Sequence, residues 1–98
     1  MMKRTERAEG ERPVIVCTEH RGVFFGYVTG ETMGVDPIKL RGARMAIYWA
    51  TTKGVMELAE VGPNTRSKIS ARATIEVRKV TAVFEVTDQA MEAWESAA

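Results

Sequence analysis

The sequence holds one cysteine and one histidine in 98 residues, and that scarcity removes whole classes of chemistry. Cys17 has no second thiol to meet, so no intrachain disulfide braces the fold, and its apolar run Pro13-Val14-Ile15-Val16 reads as the surroundings of a buried core thiol. Cys17 and His20 cannot supply the converging N, S and O donors of a zinc site, and no metal or cofactor is expected. His20 is the only imidazole base on offer, and no serine or cysteine sits in a nucleophile elbow. The glycines form no phosphate-cradling loop followed by Lys-Ser or Lys-Thr. Carboxylate pairs such as Glu31 with Asp36 and Glu57 with Glu60 read as solvated surface charge. Together these absences predict a protein that is not an enzyme.

An excess of one charge is also lacking. Fourteen Lys and Arg oppose thirteen Asp and Glu, so the net charge of +1 creates no global field for nucleic acid or an acidic membrane. No apolar run approaches the roughly 18 residues of a membrane-spanning helix, and no hydrophobic signal region follows Met1–Arg7. A cytoplasmic protein with no membrane partner is expected.

What is present is ordinary for a folded domain: 45% hydrophobic and 28% charged residues. Residues 1–12 are polar, alternate in charge and contain Gly10, and read as a flexible N-terminal arm. Residues 13–98 read as a single β-rich domain. A core of this size supplies only a few kcal/mol of net stability, and without disulfides or metals a homo-oligomer is expected.

Residues 13–18 and 23–28 are β-branched and aromatic on either side of His20-Arg21-Gly22, the pattern of a hairpin. Ile38 and Leu40 alternate with Lys39 and Arg41 as a third strand, and residues 43–50 follow Gly42 as a fourth. Residues 54–60 favour a short helix ended by Gly62-Pro63. Two more strands are predicted, one alternating through Ala73, Ile75 and Val77, the other through Val80, Ala82, Phe84 and Val86, with Lys79 at a bulge or tight corner between them. Thr87 or Asp88 caps a closing helix whose Met91 and Trp94 share one face, to pack on the sheet or on a partner. The sum is a mainly β, β-rich α+β fold: a small antiparallel barrel or roll with one short internal helix and a C-terminal helix.

The candidate binding residues are Arg44, Tyr48, Trp49 and Lys53, because a guanidinium beside aromatic faces holds a phosphate while a base stacks. Strand alternation sets Arg44, Ala46 and Tyr48 on one face and Met45, Ile47 and Trp49 on the other, so Arg44 and Trp49 meet only through a bulge or at a subunit boundary. A bland alternative turns Ile47 and Trp49 to the core and leaves Arg44 stacked over the outward-facing Tyr48 or Ala46 face as ordinary surface. Arg66, Lys68 and Arg72 form a second basic alternation that could contact phosphates or protect an exposed sheet edge.

From Pro13 to Trp94 the order of Pro13-Val14-Ile15-Val16, Arg21-Gly22-Val23-Phe24-Phe25-Gly26, Leu40-Arg41-Gly42-Ala43-Arg44 with Tyr48-Trp49, Met56-Glu57-Leu58-Ala59 and Lys68-Ile69-Ser70 resembles short bacteriophage and prophage proteins of a domain-of-unknown-function family. Members usually carry a histidine where Phe24 stands, and an arginine and a tryptophan where Met45 and Ile47 stand. The resemblance implies a viral origin in the host cytoplasm and assigns no catalytic residue. Three functions are weighed: a binder sequestering a small nucleotide or host defence signal in an oligomer; a virion accessory or assembly protein with a phage structural partner, docking through Met91 and Trp94; and a nucleic-acid-binding barrel using Arg66, Lys68 and Arg72.

Overall fold

The computed structural model describes residues 10–19, 22–30, 32, 35–48, 55–64 and 67–97. Strands β1 (Glu11–Thr18) and β2 (Val23–Thr29) form the expected hairpin, with Ile15 opposite Phe25 and Pro13 opposite Tyr27. Glu11 and Arg12, assigned from sequence to the arm, belong to β1, and Glu11 is buried. Residues 1–9 of the predicted arm lie outside the described residues.

The predicted third and fourth strands are one, β3 (Ile38–Tyr48). Gly42 reads as a break, but at φ +60° it passes through a conformation that favours glycine and the strand continues beyond it. The ladders shift register around that point, between Phe25 and Tyr27 on the β2 side and between Leu40 and Ala43 on the β5 side. The distorted β3 therefore presents Leu40 and Ala43 to one core and Arg44 and Ala46 towards the other.

Beyond β3 follow α1 (Val55–Glu60), β4 (Lys68–Ile69), β5 (Ala73–Val77), β6 (Val80–Glu85) and α2 (Asp88–Ser96). The antiparallel sheet runs β4-β3-β2-β1-β6, with β5 also on β3. Because β5 and β6 flank opposite sides of the sheet yet are joined by the short corner at Arg78 and Lys79, the sheet curls into a roll. It does not close. Lys79 takes φ 58° at this corner, and the Asp36 carboxylate accepts from the amides of Lys79 and Val80 at 3.2 and 3.1 Å.

The curl gives the sheet two buried faces. Val14, Val16, Val28, Ile38, Leu40 and Val77 fill the inside of the roll. On the outside, Ile15, Phe25 and Tyr27 meet Leu58 of α1 and Met91 and Trp94 of α2. This is why β1 reads as a continuous apolar run rather than an alternating one. Thr87 is the α2 N-cap, accepting from the Ala90 amide at 3.0 Å. Its hydroxyl also donates to the Glu60 carbonyl at 2.6 Å, tying α2 to the end of α1.

Gly62 closes α1 with φ +89°, its amide donating to the Glu57 carbonyl at 3.1 Å. A methyl group there would stand 2.5 Å from the Ala93 Cβ and 3.0 Å from the Ala90 carbonyl oxygen. Gly62→Ala adds this steric conflict to an unfavourable φ, and is expected to cost about 2–3 kcal/mol. For a domain of this size that lowers the thermal midpoint by roughly 10 °C or more, readable by calorimetry.

Candidate functional site

Arg44 stands opposite Phe25 in the β2–β3 ladder, on the face covered by the helices, and is only 6% exposed. Its guanidinium reaches the C-terminal end of α2. Nη1 donates to the carbonyls of Trp94 at 2.6 Å and Glu95 at 3.4 Å, and Nη2 to that of Ala97 at 2.9 Å. Nε donates to the Ser70 carbonyl at 2.9 Å. The last carbonyls of a helix have no partner within it, and a cation there also meets the negative end of the helix dipole. Arg44 thus caps α2 from the neighbouring strand. Burial, and then the nearby Arg72, draw its pKa down, against the opposing field of Glu95.

Around this cap the chain gathers further polar side chains. Tyr27 on β2 is buried on the same face, and its hydroxyl donates to Glu95 Oε2. Arg72, in the segment between β4 and β5, donates from Nη1 to Glu95 Oε1 and from Nη2 to the Glu95 carbonyl at 3.0 Å. Glu95 thereby receives a phenol and a guanidinium on its two carboxylate oxygens. Its side chain is 9% exposed, whereas that of Arg72 is 45% exposed. Arg41 lies over the Tyr27 ring, 5.0 Å from its centroid, and pairs with Glu11 at 2.7 Å.

The phenol of Tyr27 has its pKa pushed well above the ordinary value of 10.0, first by burial and then by its hydrogen bond to Glu95. An acid whose folded-state pKa is raised gives stability that is complete below the unfolded-state pKa and is lost as pH rises above it. Tyr27→Phe is therefore expected to cost about 1–2 kcal/mol at neutral pH, through the lost charge-assisted bond. That penalty should shrink as pH climbs past 10.0, since only the wild type forfeits the Tyr27 contribution. Urea midpoints of both proteins between neutral and alkaline pH measure it.

Of the two basic groups read separately from sequence, the described members Arg44, Lys68 and Arg72 come from β3, β4 and the segment that follows β4. Arg44 and Arg72 converge on the end of α2, and Lys68 is exposed on β4 with its Cα opposite that of Tyr48. Ser70 stitches that segment to β3, its hydroxyl accepting from the Met45 amide at 2.8 Å and its own amide donating to the Met45 carbonyl at 2.9 Å. Met45 and Ile47, on the opposite face of β3, are 38% and 60% exposed. Trp49, Lys53 and Arg66 lie outside the described residues, as does the side chain of Tyr48.

Sequence reasoning missed Tyr27, Arg41, Glu11 and Glu95. Tyr27 and Arg41 read as ordinary strand residues, Glu11 as part of the arm, and Glu95 was not singled out. The one available signal was the spacing of Phe25 and Tyr27, which sets both on one face of β2.

A cleft of about 570 Å³ opens elsewhere, between β6 and Thr32, Val35 and Asp36, with Arg12, Val14, Val83 and Glu85 also in its walls. Among the described residues, none of those predicted from sequence to bind a ligand lines it. Cys17 is partly exposed, packs against the outer core and has its thiol pKa pushed up by burial. Among the described residues no three His, Cys, Asp or Glu side chains gather in a way that could hold a metal ion, and no helix is long and apolar enough to cross a membrane.

A sequence profile described as a domain of unknown function, DUF6948, matches residues 11–94. No curated protein and no solved structure matches the chain.

Proposed function

The chain belongs to the DUF6948 family, and from that premise we propose that it is a non-enzymatic binding protein for a small phosphate-bearing ligand of the nucleotide class. The observation that carries the reading is the convergence of Arg44 and Arg72 beside Tyr27 at the end of α2, with Lys68 exposed on the neighbouring strand. Guanidinium groups beside a phenol hydroxyl supply the donors that recognition of a phosphate requires. Arg44 serves this site as a buried positive charge, since it already donates to four backbone carbonyls. Arg72 and Lys68 are the more exposed cations. Tyr48 stands opposite Lys68 in register, and Trp49 and Lys53 follow it in sequence.

The finer parts of this reading are a bacteriophage or prophage origin, a homo-oligomer and sequestration of a host defence signal in the cytoplasm. The exposed Met45 and Ile47 on β3 support self-association, because apolar side chains of this size gain from cover. They equally favour a second reading, an assembly module that docks on a larger particle through this face. Purification from cells with active nucleotide-based defences, followed by denaturation and mass spectrometry of the released small molecules, tests the first reading. A stoichiometric nucleotide upholds it. A ligand-free protein that co-purifies with virions replaces it with the second.

A further inference from the structure

We propose that Glu95 is a built-in competitor in an anion site, and that a phosphate-bearing ligand binds by displacing its carboxylate from Arg72 and Tyr27. The inference deepens the binding reading above and rests on it. Arg44 and Arg72, from two segments of the chain, donate to carbonyls at the end of α2, and Arg41 lies over the ring of Tyr27 beside them. Among the described residues, Glu95 bonds Arg72 and Glu11 bonds Arg41. Arg44 spends its donors on uncharged carbonyls, so among the described residues its charge stands beside Glu95 without a carboxylate bonded to it.

The geometry of the Glu95 carboxylate is that of a bound anion. One oxygen takes a phenol proton from Tyr27, the other a guanidinium proton from Arg72, and the Arg41 and Arg44 charges act on it from further off. A phosphate oxygen accepts the same donors with more charge and more lone pairs. The two anchors also differ in what they can release. Tyr27 and Arg44 are buried and fixed by the sheet, whereas Arg72 is nearly half exposed and Glu95 sits in the last turn of α2. Departure of the Glu95 side chain needs no movement of the sheet, because Trp94 beside it remains anchored in the core through Phe25 and the Leu58 carbonyl.

A tethered carboxylate competes as though it were present at millimolar or higher concentration, which lowers the apparent affinity of any anion for the same donors. Removing its charge while keeping its shape should reveal the site. Calorimetric titration with inorganic pyrophosphate is expected to give Glu95→Gln at least tenfold tighter binding than the wild type. Adding Arg72→Ala to that variant should abolish the gain. A folded Glu95→Gln protein that binds pyrophosphate no better than the wild type overturns the proposal.

The wild type supplies a second measurement should Glu95→Gln fail to fold. Pyrophosphate is expected to speed hydrogen exchange at residues 95–97 severalfold while leaving β1 and β2 protected, and unchanged exchange at saturating pyrophosphate overturns the proposal. The outcomes separate this idea from the reading beneath it. Tighter pyrophosphate binding by Glu95→Gln in a protein that carries no nucleotide from cells upholds the displaced carboxylate and removes the nucleotide. A co-purifying nucleotide with no effect of Glu95→Gln keeps the nucleotide and places it away from Glu95.

Discussion

Arg44→Ala is expected to lower the unfolding free energy by about 3 kcal/mol, a large share of the roughly 5–15 kcal/mol that holds a domain of this kind together. The side chain donates to the carbonyls of Ser70, Trp94, Glu95 and Ala97, which belong to two places in the chain, the segment after β4 and the end of α2. Truncation removes all four bonds at once. Water can reach the more exposed Glu95 and Ala97 ends, but the Trp94 bond is buried and its carbonyl keeps its desolvation cost. The positive charge opposite the negative end of α2 disappears as well.

Arg44→Lys separates charge from geometry. A lysine keeps the charge but offers one compact ammonium in place of a planar fork, and cannot reach Ser70 on one side and Ala97 on the other. We expect it to recover about a third of the loss. Urea unfolding checks both variants: the midpoint should fall with the slope unchanged, since the same surface is exposed on unfolding. A midpoint of Arg44→Ala equal to that of the wild type would make the cap energetically irrelevant and return Arg44 to the pool of residues available for a ligand.

That result bears on how the sequence reads. The hairpin, both helices and the amphipathic β5 were legible because each follows from short-range rules: alternation along strands, Gly62-Pro63 after a helix, Thr87 before one. Gly42 misled for a local reason. A glycine between two apolar runs usually punctuates, and only its pairing partners on β2 and β5 show that the strand runs through it with shifted registers. Arg44 misled for a non-local one. Its function as a cap depends on carbonyls about fifty residues later, and no spacing in the sequence connects them. The same distance hides the Tyr27–Glu95 bond, so the polar cluster at the end of α2 was out of reach even though Arg44 and Arg72 were both singled out.

Trp94→Ala is expected to be the most damaging single change, at about 4 kcal/mol or more. Trp94 is fully buried, stacks on Phe25 with centroids 5.2 Å apart and planes 7° from parallel, and donates its indole N–H to the Leu58 carbonyl at 3.1 Å. One side chain therefore holds α1, α2 and β2 together. Alanine leaves a large void that flanking Ile15 and Met91 cannot fill, and an unpaired carbonyl in it. Trp94→Phe keeps the stack and loses the indole bond, and should cost only about 1–2 kcal/mol. The pair also decides between two uses of α2. A helix that reserved Trp94 for a partner would tolerate alanine in its fold and lose only association, whereas a Trp94 that is core must lose cooperative unfolding first. Thermal unfolding of Trp94→Ala followed by circular dichroism should show a midpoint lowered by well over 10 °C, or no cooperative transition at all. A midpoint near that of the wild type would free Trp94 for docking and revive the assembly reading through α2. The expected collapse instead confines any docking surface to side chains that the fold leaves exposed, with Met45 and Ile47 of β3 among them.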